Sequence, residues 1–270
     1  MKSNKRLLTA YLLSLIFLFL PFLSFFTRGN FLDLSELDLA AITQAIGVSL
    51  STSLVGLLWV LLLGLPAGYF MARADFAGKG FLDLLFRLPQ ALPPAVIGLL
   101  FLLAYGQNGF IGRLLPGRLT FTSEAVVLIF IFVALPIFVN GAAAAFGGVD
   151  PRLEETAQVL GDNTRQVFWR VTLPLAKPGL LGAAMLSWSR GLSEFGATMM
   201  FAGNLAGITR TLPLAIYTIL ETSLESALFL AFIMFVISLA LLSITHLLIE
   251  RPGNHVRNQS QRKSISRLGH

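Results

Sequence analysis

Two ionisable side chains, Arg190 and Glu194, interrupt an apolar stretch that covers residues 179–202. Residues four apart lie on one face of a helix, so this spacing allows the guanidinium and the carboxylate to pair. Ionisable groups inside a membrane-spanning helix are costly and normally face the interior of a helix bundle or a water-filled path. Two interpretations follow. Arg190 offers a transient positive charge to a passing anion while Glu194 holds its geometry, or the pair only fixes the helix near the cytoplasmic mouth.

Residue types that support catalysis or metal binding are scarce in this sequence. It has no cysteine, and of its three histidines only His246 lies inside an apolar stretch. Thiol catalysis, disulfides and thiolate metal sites are therefore excluded. No G-x-x-x-x-G-K-[ST] loop occurs, so the chain lacks the usual phosphate-binding device of an ATPase. We expect no catalytic residue, metal or cofactor, and an intramembrane enzyme is disfavoured.

The composition indicates an integral membrane protein. Of the 270 residues, 55% are hydrophobic and 13% are charged, whereas a soluble domain carries about 25% charged residues. Apolar runs that can cross about 30 Å of hydrocarbon must be helical, because lipid offers the backbone no hydrogen-bond partner. We predict an all-α membrane fold with six transmembrane helices, at residues 7–26, 46–72, 88–105, 125–146, 179–202 and 226–249. Kinks or re-entrant geometry are predicted at Pro66, Pro93, Pro94 and Pro136.

The distribution of basic residues predicts the orientation. With the N-terminus inside, fifteen Lys and Arg residues fall in cytoplasmic segments and four in outer segments. Cytoplasmic segments carry the excess of Lys and Arg, so both termini are predicted to be cytoplasmic, and the net charge of +6 does not indicate nucleic-acid binding. We expect an N-terminal helix with an outer loop (1–44), a transmembrane core (45–248) and a basic, disordered tail (249–270).

The polar loop between the fourth and fifth runs has the pattern of a helix-turn-helix on the cytoplasmic side. Asp150 suits an N-cap, Pro151 suits the first helical position, and Gly161 supplies a left-handed stop. The first helix would carry an apolar stripe and an acidic shoulder, formed by Leu153, Ala157 and Leu160 and by Glu154 and Glu155. Thr164 is expected to cap a second helix that ends before Pro174. Such a ridge fits a groove on a soluble partner; the alternative is an amphipathic helix lying on lipid headgroups.

The same loop has a fixed spacing, in which E-x-A-x-x-x-G is followed, after nine residues, by V-x-L-P. The positions are Glu155, Ala157, Gly161, Val171, Leu173 and Pro174. This pattern resembles the coupling-loop signature of ABC-importer permeases of the binding-protein-dependent type, with Thr156 in place of the more usual alanine. The resemblance implies that the first helix, with Glu154 and Glu155, enters a groove on a cytoplasmic ABC ATPase subunit. It also implies a permease homodimer in a prokaryotic plasma membrane, an ATPase dimer and an extracytoplasmic binding protein.

Two further stretches resemble permeases for tetrahedral oxyanions. They read L-P-Q-A-L-P-P-A-V-I-G-L at residues 88–99 and R-G-L-S-E-F-G-A-T-M-M-F-A-G-N at residues 190–204. Together they are most similar to molybdate permeases, and sulfate, thiosulfate and tungstate permeases are the alternatives. The candidate pathway or gate comprises Arg190, Ser193, Glu194 and Thr198. A self-sufficient secondary transporter or channel would need intramembrane carboxylates for a proton relay, and only Glu194 qualifies.

Overall fold

The computed structural model describes residues 2–23, 25 and 38–249, and every regular element in those ranges is helical. The α-helices are α1 (Lys2–Phe19), α2 (Leu39–Arg73), α3 (Lys79–Ala91), α4 (Pro94–Tyr105), α5 (Ser123–Gly147), α6 (Pro151–Val159), α7 (Thr164–Val167), α8 (Leu173–Leu192), α9 (Gly196–Phe201), α10 (Leu212–Leu220) and α11 (Leu224–Ile249). A π turn, Phe168–Thr172, joins α7 to α8. The predicted all-α fold is confirmed over these ranges. Most of the predicted outer loop and nearly all of the predicted tail lie outside the described residues.

Three helices in the described ranges are long and apolar enough to cross a membrane: α2, α5 and the Leu224–Leu247 part of α11. A fourth crossing exists if α3 and α4 are counted together, although the chain bends by 107° between them. At this bend Leu92 is extended, with φ −84° and ψ 139°, because a following proline disfavours the helical region. The break predicted at Pro93 and Pro94 is confirmed.

The described residues do not form six uninterrupted spans. Among the described residues, the first run contributes an apolar helix over Leu7–Leu23. The fifth run is broken, because α8 ends at Leu192 and α9 begins at Gly196. The Glu194 carboxylate accepts a hydrogen bond from the Ala197 N–H, and this contact satisfies a donor that the new helix start exposes. A further helix, α10, lies between the fifth and sixth predicted runs, where no helix is predicted.

The core of the bundle is the contact between α2 and α5. Three glycines of α2 each lie against one residue of α5: Gly56 against Phe130, Gly64 against Phe138 and Gly68 against Ala142. The contacts follow the same order along both helices. The three α5 residues are buried. Because the order is the same, α2 and α5 run in the same direction. Small residues at such an interface let two helix backbones approach closely in lipid, and this approach brings the C-terminal ends of α2 and α5 together.

Gly68 tests this packing, because a methyl group at that position has no space. A Cβ on residue 68 would lie 2.6 Å from the Ala142 Cβ and 3.2 Å from the Ala143 backbone nitrogen, so the helices would have to separate. We expect Gly68→Ala to lower the free energy of unfolding by about 1–3 kcal/mol, seen as a lower thermal midpoint in detergent. Gly47→Ala on the same helix is the control, since a Cβ there meets nothing within 4 Å. Equal midpoints for the two variants would contradict the packing.

Candidate functional site

The first helix of the polar loop, α6, begins and ends where the sequence predicts. The Asp150 carboxylate accepts from the Arg152 N–H at 3.0 Å, and Pro151 occupies the first turn. At the other end Gly161 has φ +102°. The Gly161 N–H donates to the Gln158 carbonyl and the Asp162 N–H to the Ala157 carbonyl, each at 3.0 Å. These two bonds form a Schellman motif, which satisfies the last carbonyls of the helix. As a result, α6 is a rigid unit with defined ends.

The second half of the loop differs from the prediction at both ends. Its cap is Asn163 rather than Thr164: Asn163 and Gln166 exchange backbone-to-side-chain hydrogen bonds in a capping box. The helix also does not end before Pro174, because α7 continues through the π turn directly into α8. Pro174 lies in the first turn of α8, where the missing N–H of proline is tolerated.

The apolar face of α6 is left uncovered by the rest of the described chain. Leu153 is 49% exposed, Val159 87% and Leu160 83%, whereas Ala157 is only 8% exposed and packs inward. Glu155 is also exposed. The predicted stripe is therefore divided, with Ala157 facing the bundle and the larger apolar side chains facing outward. This outward face is available to a partner.

Glu154 does not belong to the predicted acidic shoulder. Its carboxylate lies 2.7 Å from the Arg73 guanidinium at the end of α2 and accepts from the Thr172 hydroxyl at 2.6 Å. The side chain is only 15% exposed, so it faces the bundle and the shoulder consists of Glu155 alone. Sequence reasoning missed Arg73 and Thr172. Arg73 carried one signal, since it is the basic residue that ends the second apolar run.

The remaining predicted loop residues lie around this contact. Thr156 is exposed and its hydroxyl donates to the Arg152 carbonyl at 2.7 Å. Val171 and Leu173 are half-buried, and Pro174 is exposed. The signature residues therefore divide between an exposed outward face and an inward packing face.

At the second candidate site, Arg190 and Glu194 pair as predicted, with 2.9 Å between the guanidinium and the carboxylate. The two partners differ in exposure, since the Arg190 side chain is 42% exposed and that of Glu194 is 3% exposed. The second carboxylate oxygen accepts from the Ala197 N–H at 3.1 Å. Glu194 thus neutralises a cation and caps α9 at the same time. Ser193 is exposed, and its hydroxyl donates to the Arg190 carbonyl.

A small polar cavity adjoins Glu194. Its polar lining residues are Ser49, Thr52, Ser53, Glu194, Thr198 and Thr211. Its volume is about 10 Å³, roughly the space that a single water molecule needs, so a tetrahedral anion does not fit in this conformation. The buried Thr211 hydroxyl has no hydrogen-bond partner. Thr198 joins this cavity, whereas Ser193 does not line it.

The two candidate sites lie at opposite ends of the bundle. The cavity is lined by the first half of α2, the start of α5 and the start of α10, whereas the polar loop is held by Arg73 at the far end of α2. The Arg190–Glu194 pair therefore lies away from the end of the bundle that carries the loop, because α8 separates the two.

Fold and loop together define a class: a multi-pass helical membrane protein that presents a capped, exposed helix at one end of its bundle. The family described as "Binding-protein-dependent transport system inner membrane component" matches residues 64–252, and the chain belongs to it. The chain is 40% identical to the molybdenum transport system permease protein ModB of Haemophilus influenzae over 183 residues, 66% of this chain and 80% of that protein. It is 38% identical to ModB of Mycobacterium bovis over 197 residues, 72% and 75% of the two chains.

Solved structures show the same fold at low sequence identity. A crystal structure of a bacterial ABC transporter that imports alginate matches with a TM-score of 0.70 at 18% identity, covering 93% of this chain and 98% of that one. The MetNI methionine ABC transporter in an inward-facing conformation matches with a TM-score of 0.57 at 17% identity, covering 79% and 99%. The family match and the ModB relatives confirm the resemblance to ABC-importer permeases.

Two substitutions of Glu194 separate the contribution of its hydrogen bond to stability from the contribution of its charge. Glu194→Ala leaves the buried Ala197 N–H without an acceptor, which costs about 1–3 kcal/mol of unfolding free energy. Glu194→Gln keeps a carbonyl oxygen in place and should lose much less. Thermal midpoints of the two purified variants in detergent give the comparison. Equal losses would mean that the charge, and not the cap, stabilises the break.

Proposed function

We propose that this chain is the permease subunit of an ATP-driven importer that carries molybdate across the plasma membrane. In this proposal two copies form the pathway, a dimer of cytoplasmic ABC ATPase subunits supplies the energy, and an extracytoplasmic oxyanion-binding protein delivers the substrate. The chain itself is not an enzyme. The observation that carries the proposal is the rigid helix α6, whose apolar outer face is uncovered.

The geometry of α6 favours a protein groove over the membrane surface as its binding partner. A helix adsorbed on headgroups usually shows Lys and Arg on its polar face, whereas the exposed charged residues of α6 are Arg152 and Glu155, which together carry no net positive charge. Leu153 and Leu160 are large, exposed side chains of the kind that anchor a helix in a groove. The exposed Glu155 suits a groove that also carries a basic side chain.

Molybdate is proposed as substrate because relatives that share 38–40% identity with this chain are molybdenum transport permeases. Tungstate and sulfate or thiosulfate are the alternatives, since all are tetrahedral oxyanions. A self-sufficient secondary transporter is less well supported. Its proton relay would need a free intramembrane carboxylate, and Glu194 is engaged by Arg190 and by the Ala197 N–H.

We further propose that the chain crosses the membrane six times, with the polar loop and both termini in the cytoplasm. The basic residues favour this orientation. It places Arg73 and α6 on the ATPase side and the cavity beside Glu194 toward the outside. The transmembrane core would cover residues 45–248, preceded by an N-terminal helix and followed by a basic tail.

In the proposed mechanism, ATP binding closes the ATPase dimer and moves α6, which switches the permease between its two access states. The cavity beside Glu194 is too small for a tetrahedral anion in the present conformation, so substrate passage requires this region to widen when the permease changes its access state. Arg190, Ser193, Glu194 and Thr198 would then border the pathway. A guanidinium that is neutralised by a carboxylate holds an anion weakly, which suits passage better than retention.

Uptake of labelled molybdate tests this function. The measurement uses vesicles that contain this chain with its ATPase subunit and its binding protein, and tungstate and sulfate serve as competitors. We expect ATP-dependent uptake that tungstate blocks and sulfate does not. Competition by sulfate alone would assign the chain to sulfate transport, and uptake without ATP would contradict an ABC importer.

Charge reversal at Glu155 tests the docking face. We expect Glu155→Lys to weaken retention of the ATPase subunit in a detergent pull-down by at least about tenfold, because like charges brought together at an interface cost several kcal/mol. Glu221→Lys is the matched control, since Glu221 is also exposed but lies at the end of α10. Unchanged retention for Glu155→Lys would contradict an acidic contact.

A further inference from the structure

The geometry points to a coupling latch, formed by Arg73, Glu154 and Thr172, which transfers the movement of α6 to α2 and α8. This inference rests on the proposed function, in which α6 docks on an ATPase subunit. It gives Glu154 a role inside the permease, whereas its neighbours Leu153 and Glu155 face the partner.

The latch joins three separate elements at one carboxylate oxygen. The Arg73 Nη2, on the last residue of α2, lies 2.7 Å from the Glu154 Oε1. The Thr172 hydroxyl, in the π turn before α8, donates to the same oxygen at 2.6 Å. Arg73 and Glu154 are 22% and 15% exposed, and Thr172 is fully buried. Charge-assisted hydrogen bonds of this kind are about twice as strong as neutral ones, and their burial limits screening by salt.

The other ion pairs among the described residues do not connect the loop to a membrane helix. Asp83–Arg87 lies within α3, and Asp162–Arg170 lies within the second half of the loop. Both arginines are more than half exposed, so these pairs contribute little. The Arg190–Glu194 pair is remote from the loop. Arg73–Glu154 is therefore the ion pair that links α6 to a membrane-crossing helix.

The backbone connections of α6 are less suited to transmit a displacement than the latch is. Gly147 and Gly148 precede the helix and Gly161 follows it, and glycine restricts the backbone least of all residues. By contrast, α6 itself is capped at both ends and moves as a unit. Ala157 packs inward and can transmit a push, and the Glu154 contacts add to the backbone a direct connection through which a pull on α6 is transmitted. Movement of a docked α6 therefore reaches α2 and α8 at their loop ends.

The test measures molybdate transported per ATP hydrolysed by the complete transporter in vesicles. We expect Glu154→Gln and Thr172→Val to lower this ratio by about tenfold, within the usual range of coupling between sites, while ATP hydrolysis and retention of the ATPase subunit persist. Thr172→Ser keeps the donor and should restore the ratio. Asp83→Asn is the control, because it removes an exposed ion pair that joins no separate elements.

A double-mutant cycle with Arg73→Gln and Glu154→Gln tests whether the two residues act as a pair. Partners in one contact are non-additive, so the double variant should lose no more than the worse single variant. Three results would each overturn the latch. They are additive losses in the double variant, an unchanged ratio of transport to ATP hydrolysis in both Glu154→Gln and Thr172→Val, and loss of the ATPase subunit from Glu154→Gln. Should Glu154→Gln not fold, the comparison of Thr172→Val with Thr172→Ser decides alone.

The wild-type complex separates the two proposals. If it does not transport molybdate, the substrate assignment fails and the latch is then measured with tungstate or sulfate, whichever the wild type carries. If it carries molybdate and the variants keep the wild-type ratio, the latch fails and the substrate assignment stands.

Discussion

The close contact between α2 and α5 determines where both candidate sites lie. Because Gly56, Gly64 and Gly68 present no side chains to α5, the two helices run together along most of their length and end on the same side of the bundle. At that end α5 leads through Gly148 into α6, and α2 supplies Arg73. Toward the other end, α2 presents the hydroxyls of its first half to the cavity beside Glu194. One helix pair therefore supports both a docking element and a polar break in α8–α9.

At the starts of α9 and α10, a side chain satisfies a backbone group that the helix start exposes. Lipid supplies no such partner, so irregular backbone at membrane depth must be buried in protein. Glu194 accepts from the Ala197 N–H at the start of α9. Ser49 accepts from the Leu212 N–H at the start of α10, at 2.7 Å. The Trp188 indole donates to Ser53 across the α2–α8 contact. Buried polar groups on α2 thus keep a broken helix and a short helix in place beside it.

Local signals predicted α6 well, and non-local contacts could not be predicted. Asp150, Pro151 and Gly161 define the limits of α6 through backbone preferences that are readable within a few residues. The partner of Glu154 is 81 positions away in sequence, so periodicity could place Glu154 on a polar face without showing that Arg73 covers it. The break after Leu192 was missed for a related reason. An apolar run shows that a segment is buried in the membrane, but the cap that allows the helix to stop depends on the rotamer of Glu194.

In the proposed mechanism, a movement of the polar loop must reach the region around Glu194, so the element that joins the two candidate sites must be stiff. The helix α8 has 20 residues, so it extends about 30 Å at 1.5 Å per residue. It begins beside Thr172 in the π turn and ends at the break before Glu194. A displacement at its loop end is carried along the axis, because a helix does not compress, and it arrives where the chain changes direction. There the Glu194 carboxylate joins Arg190 of α8 to the Ala197 N–H in the first turn of α9. In the proposed mechanism, a broken helix at this position lets α9 move relative to α8 and widen the cavity without unwinding α8, which a continuous helix would not allow.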